Sequence, residues 1–232
     1  KSNIMGFYRG PNIVTDGLVF AVDAGSTRSY AGSGTTVNNL ISSTTATLTN
    51  GTGFSTSNGG IWTFDGLDDY IQVNTTTTPA TGAFTIEFIY QISTTGGRGG
   101  MFERKPTSPY NGVTLGQGGS NNWAFSVNNG SQSVIYNAPY PTINTWYHDV
   151  GVYNGVNTVT FYRNGVLLGT TTGSTLGNLD TGGTRDDLRI FRRDSNSSVI
   201  GGKVANFRTY NIALTAAQVL QNFNAQKSRF GL

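Results

Sequence analysis

Residues 146–171 read WYHDVGVYNGVNTVTFYRNGVLLGTT, three runs of alternating side chains separated by Asn154-Gly155 and Asn164-Gly165. Asn-Gly is the preferred pair of tight hairpin turns, because both central residues of a type I′ turn need positive φ. Residues 146–153, 158–163 and 166–171 therefore read as a three-stranded antiparallel meander. Outward from it the grammar stays that of strands. Residues 83–92 (AFTIEFIYQI) place Phe84, Ile86, Phe88 and Tyr90 on one face and Thr85, Glu87 and Gln91 on the other. Ile89 interrupts the polar side, so the outer face is also covered in part. Residues 17–23, 60–65, 70–74, 188–191 and 203–210 add further strands.

Near the end the period changes. Thr215-Ala216-Ala217-Gln218 has the Thr-x-x-Gln form of a capping box, with Val219, Leu220 and Phe223 following at helical spacing. A short helix is predicted over about residues 215–226. The first 15 residues carry Phe7, Tyr8 and Arg9 but no strand-length pattern, and Gly10-Pro11 interrupts them. They read as an extended arm, with one domain over residues 16–232. Many short strands with evenly spaced turn signals describe an all-β sandwich or barrel.

Composition agrees and excludes other classes. Glycine, threonine, asparagine and serine make up nearly half of the 232 residues, and all four cost helix stability. Cysteine is absent, which removes disulfide frameworks, thiolate metal sites and a cysteine nucleophile. No apolar stretch approaches the ~18 residues of a membrane span, and the opening Lys1-Ser2-Asn3-Ile4-Met5-Gly6 has no signal-peptide core. Net charge is only +3. Arg185, Arg189, Arg192 and Arg193 are interleaved with Asp186, Asp187 and Asp194, the pattern of a self-paired surface and not of a nucleic-acid footprint.

Several segments together resemble one family. Gly17-Leu18-Val19-Phe20-Ala21-Val22-Asp23-Ala24 with Gly32-Ser33-Gly34-Thr35, then Phe64-Asp65-Gly66-Leu67-Asp68-Asp69-Tyr70-Ile71, Phe84-Thr85-Ile86-Glu87-Phe88, Trp146-Tyr147-His148-Asp149-Val150 and Tyr162-Arg163-Asn164-Gly165-Val166 stand in order. Gly202–Asn211 followed by Ala213-Leu214-Thr215 closes the set. This series resembles the laminin-G-like, concanavalin A-like jelly-roll domains of tailed-phage virion proteins. The resemblance implies two facing antiparallel sheets, that is, a jelly-roll β-sandwich with a short C-terminal helix. It also implies a structural virion protein on the particle surface, capsid-decorating or tail-associated. Its partners would be the major capsid protein, a tail protein or further copies of itself, contacted through the arm at Phe7, Tyr8 and Arg9. The alternative within the same fold is an adhesion module for host-surface polysaccharide.

Jelly-roll glucanases use two carboxylates about 5–5.5 Å apart, whereas this chain has two glutamates in all, Glu87 and Glu103, and no strand carrying a pair. His148 is the single histidine. A triad with Ser126 or Ser133 fails because Asp149, its neighbour in the same strand, points to the opposite face. No enzymatic activity is expected. Asp65, Asp68 and Asp69 crowd one turn and read as oxygen ligands for calcium, or else Asp68 and Asp69 fix the turn by bonds to its backbone amides; no other cofactor is implied. For a sugar, Trp123 beside Asn121 and Asn122, with Tyr110 just before, offers a stacking ring and amides. The alternation of Trp123, Phe125 and Val127 equally reads as core.

Overall fold

The structure, a computed structural model, describes residues 11–73, 75–95, 99–104, 111–119, 122–180, 188–192 and 200–232. Its strands are β1 (Leu18–Asp23), β2 (Thr36–Asn38), β3 (Thr45–Thr49), β4 (Gly53–Ser55), β5 (Ile61–Phe64), β6 (Tyr70–Val73), β7 (Phe84–Ile92) and β8 (Gly100–Arg104). They continue as β9 (Asn111–Gly119), β10 (Asn122–Asn129), β11 (Ser133–Ala138), β12 (Trp146–Tyr153), β13 (Thr158–Arg163), β14 (Val166–Thr172), β15 (Arg189–Ile190) and β16 (Gly202–Tyr210). Helix α1 spans Ala216–Gln226. Two eight-stranded antiparallel sheets result. One runs β14-β13-β12-β7-β16-β5-β4 with β1 also on β16; the other runs β11-β10-β9-β8-β15-β6-β3-β2. The fold is a concanavalin A-like jelly-roll sandwich.

The core lies where inward-facing positions of the two sheets meet. Phe84, Ile86, Phe88, Tyr90 and Ile92 of β7 pack with Trp123, Phe125 and Val127 of β10 and with Ile71, Met101, Val113 and Leu115. All are essentially without solvent exposure. Gly151 of β12 admits one of these contacts, because a Cβ there would lie 2.5 Å from the Phe125 ring.

The first sheet is also covered on its outer side, which is why every residue of β7 is buried. Val14, Leu18, Leu214 and Val219 close over Val150, Val152 and Tyr210, while Phe230 seals Ile89 and Ala205. Helix α1 starts at the predicted capping box: Thr215 accepts from the Gln218 amide and the Gln218 side chain bonds back to the Thr215 amide. The interruption at Ile89 is thus the mark of this second apolar layer. Among the described residues no helix is long and apolar enough to cross a membrane.

The meander forms in the expected register, β12 on β13 and β13 on β14, but its two Asn-Gly pairs act differently. Asn164 (φ 52°) and Gly165 (φ 76°) make a two-residue turn. At the other pair only Gly155 has positive φ, and Asn154 instead accepts from the amides of Val156, Asn157 and Thr158. A four-residue loop capped by one side chain replaces the tight hairpin expected there.

Candidate functional site

The covered face of the first sheet holds the only glutamate whose side chain is described. Glu87 faces α1 with no solvent exposure, directly opposite Arg208 on β16. Arg208 Nη1 donates to Oε1 at 2.8 Å, Asn222 Nδ2 to Oε2 at 2.6 Å and Gln226 Nε2 to Oε1 at 3.1 Å. His148 Nε2 stands 3.2 Å from Oε1, too poorly aligned for a full hydrogen bond, with its ring against Phe223 of α1. Burial alone would raise the Glu87 pKa. The Arg208 charge, His148 and the Asn222 amide outweigh it and hold the carboxyl at about 2. An ionised carboxylate held by three hydrogen-bond donors under a helix has neither the proton nor the substrate access that acid catalysis needs.

Asp149 points the other way, into the sandwich, as strand alternation requires. Its Oδ2 accepts from Trp123 Nε1 at 2.9 Å and Tyr90 OH at 2.7 Å. Arg163, its cross-strand partner, grips both oxygens at 2.8 Å. Burial, then the Asp149 charge, push the Tyr90 phenol well above its usual range. Trp123 is therefore a core residue, a correction to its reading as a stacking platform for sugar. It is 0% exposed and stacks on Tyr90 with ring centroids 4.9 Å apart. Asn122, one residue earlier, is exposed on the other face and bonds Asn137 at 2.6 Å. Tyr110 and Asn121, like the arm residues Phe7, Tyr8 and Arg9, lie outside the described residues.

The outer face of the second sheet is where partly exposed side chains meet in rows across strands. Thr36, Thr47, Gln72 and Arg189 stand side by side on β2, β3, β6 and β15. Buried Thr114, half-buried Ser126 and exposed Ile135 continue the same register on β9, β10 and β11. Arg189 Nε donates to Gln72 Oε1 at 3.1 Å. Two residues from Gln72, Tyr70 presents its ring beneath the Arg192 guanidinium, 4.9 Å from the centroid. None of these was singled out as a ligand residue from sequence. The available signal was the alternation of Tyr70 and Gln72 with buried Ile71 and Val73, which marks an outward face but gives no hint that, among the described residues, no helix covers it.

At the rim of this face, the turn between β5 and β6 brings the three predicted aspartates together, one oxygen of each within 4.8 Å of the other two. Asp65 Oδ1 accepts from the Leu67 amide at 2.7 Å, and Asp69 Oδ2 from the Asp65 amide at 3.0 Å. Asp69 thus caps the turn as expected, but the second cap is Asp65 and not Asp68. Burial, followed by the charges of Asp65 and Asp68, raises the Asp69 pKa above the usual carboxylate range, against the opposing pull of the Asp65 amide.

No curated protein sequence matches the chain. Among solved structures it resembles the binding domain of botulinum neurotoxin serotype D/C (TM-score 0.69, 15% identity, 90% of this chain and 52% of that one). It also resembles the binding domain of Paraclostridial Mosquitocidal Protein 1 (TM-score 0.68, 13% identity, 90% and 52%), and that of botulinum neurotoxin DC in complex with SialylT (TM-score 0.69, 13% identity, 91% and 52%). The chain spans about half the length of these structures, and at such identities the likeness is one of fold. The family model described as the concanavalin A-like lectin/glucanases superfamily matches residues 64–220. That stretch runs from the aspartate turn through the Glu87 and Asp149 strands into α1, well over half of the sequence, and the chain belongs to this superfamily.

Proposed function

We propose that this chain is a non-enzymatic glycan-binding module whose ligand lies across the outer face of the second sheet. One observation carries the reading. Among the described residues this face carries no helix, and it sets Tyr70, Gln72, Arg189 and Thr47 on adjoining strands, with Arg192 over the Tyr70 ring. Sugars are recognised by planar groups against their C–H faces and by amides, guanidiniums and hydroxyls that pair with hydroxyl groups, and this face supplies each kind. The fold is shared with a toxin binding domain solved in complex with SialylT, which supports the reading by analogy of architecture alone. The locked state of Glu87 supports its non-enzymatic part.

A glycan array followed by isothermal titration tests it. The protein should bind at least one surface polysaccharide with millimolar or tighter Kd, without hydrolysing it. Gln72→Ala and Tyr70→Ala should each weaken that binding about tenfold or more. Absence of any glycan binding by the unaltered protein overturns the proposal.

A second reading, a structural module displayed on a tailed-phage particle, is favoured by the placement of residues 11–14. The Val14 amide donates to Asn222 Oδ1 and Gln221 Nε2 to the Asn12 carbonyl, both at 2.7 Å. The chain thus enters the domain on the helix-covered side of the first sheet. Removing residues 1–10 should then abolish association with purified particles, measured by mass spectrometry, while glycan titration is unchanged. Equal incorporation of the truncated chain, or absence of the protein from particles, defeats this second reading.

A further inference from the structure

Among the described residues, the apolar layer over the first sheet stops short of its edge. β14 ends that sheet and pairs there with β13 alone. Its Leu167 stands opposite Tyr162, which belongs to the layer beneath α1, so Leu167 lies on the helix side. The register shifts at this point, and Gly169 faces the core, where a Cβ would meet the Tyr136 ring at 2.5 Å. Leu168, the residue before it, therefore faces outward as well, and the bulge sets two consecutive leucines on one side. They are 37% and 53% exposed, Leu168 the less so. Beside the Asn164-Gly165 turn, α1 adds Leu220, 46% exposed; a Cβ on Gly165 would lie 3.1 Å from its Cδ1. Three exposed leucines thus flank one turn.

Neither β14 nor α1 contains a charged residue. Helix faces and sheet edges turned to water ordinarily carry charges, so this surface has the composition of one that is covered. The bulge disrupts the outer ladder of β14 and suits it poorly to pairing with a further strand; the leucines call for side chains instead. The chain itself supplies them. Gln221 Nε2 donates to the Asn12 carbonyl and the Val14 amide to Asn222 Oδ1, so the polypeptide before residue 11 sets out from the helix neighbour of Leu220. That preceding segment, outside the described residues, contains Ile4-Met5-Gly6-Phe7-Tyr8. A helix is about 10–12 Å wide and seven extended residues reach about 23 Å, enough to cross α1 to β14. Covalent attachment also gives the segment an effective concentration on the order of millimolar.

We propose that residues 4–8 cross α1 and pack Ile4, Met5, Phe7 and Tyr8 over Leu167, Leu168 and Leu220 of the same chain, a strap across the edge of the first sheet. It concerns the chain by itself and rests on neither reading of its function.

The chain has no cysteine, so a nitroxide attached to Ser2→Cys labels one site only. The methyl resonances of Leu167, Leu168 and Leu220 should broaden, and should recover when Phe7→Ser and Tyr8→Ser are combined. Mixing nitroxide-bearing chains with separate isotope-labelled chains should broaden none of them. Removing residues 1–10 should lower the unfolding midpoint by about 4 °C. Leu220→Gln, matched in helix propensity, should lower it by about 2 °C in the full chain and leave the truncated chain unchanged. Leucine resonances indifferent to the nitroxide, an unchanged midpoint on truncation, or losses that add overturn the proposal. Broadening in the mixture assigns the surface to a second copy and overturns it too.

Discussion

Arg208→Ala is expected to lower the stability of the fold by about 3–5 kcal/mol, the usual consequence of removing one partner of a buried ion pair. Arg208 bonds Glu87, Asn206 and Gln226 at 2.8, 3.1 and 3.0 Å. Without it the Glu87 carboxylate remains beneath α1 with two amides and His148 for company. Urea unfolding at pH 7 measures the loss; a change below about 1 kcal/mol, the worth of an exposed pair, would refute the assignment. The same cluster sets an acid limit. Glu87 titrates at about 2 in the fold against an ordinary value of 4.5. A carboxyl whose folded pKa is depressed contributes stability above its unfolded pKa, and that contribution fades as pH falls through the folded value. On the order of 3 kcal/mol should therefore disappear between pH 4.5 and 2, with no contribution from this group to any change at higher pH. In Arg208→Ala the Glu87 pKa moves back upward toward its unfolded value, so this acid-dependent loss should shrink.

Asp149→Ala should be comparably severe, about 3–5 kcal/mol. It strands the Arg163 guanidinium together with Trp123 Nε1 and Tyr90 OH, all of which converge on this carboxylate. Trp123 and Tyr90 are fully buried, so neither can recover its bond from water without opening the core. Asp149→Asn keeps an acceptor of the same shape and should cost less. Unfolding curves with near-ultraviolet circular dichroism, which reports on Trp123, separate the two. An alanine variant within about 1 kcal/mol of the parent would show that the network is not what anchors this end of the sandwich.

Much of the architecture was legible in the sequence because local chemistry dictated it. The alternation in β7, the meander built on Asn164-Gly165 and the Thr215–Gln218 box each state their structure within a few residues. The Asn154 loop was misread because an asparagine side chain can cap three amides as readily as it can adopt positive φ. Strands β2 and β3 were not recognised, since Thr36-Val37-Asn38 and Thr45-Ala46-Thr47-Leu48-Thr49 show only one or two apolar residues each. Trp123 could be a core ring or a sugar platform until Asp149 and Tyr90 were seen to enclose it. Of the candidate site, the aspartate turn was readable because its three acids lie within five residues. The outer face of the second sheet was not, since which sheet α1 and Phe230 cover is decided by contacts that join residues more than a hundred positions apart.

The two buried charge clusters sit on adjacent strands at opposite phases of the pleat, Glu87 outward on β7 and Asp149 inward on β12, each facing its arginine directly across a strand pair. A slip of β7 by one residue would turn Glu87 into the aromatic core and leave Arg208 alone under the helix. A slip of β12 would do the same to Asp149 and Arg163 in the reverse sense. Apolar strands covered on both faces have little else to tell one register from the next, because either phase buries hydrophobic side chains. In this sandwich the central strands are thus keyed by charge, and mispaired arrangements carry an electrostatic penalty that hydrophobic burial alone would not impose.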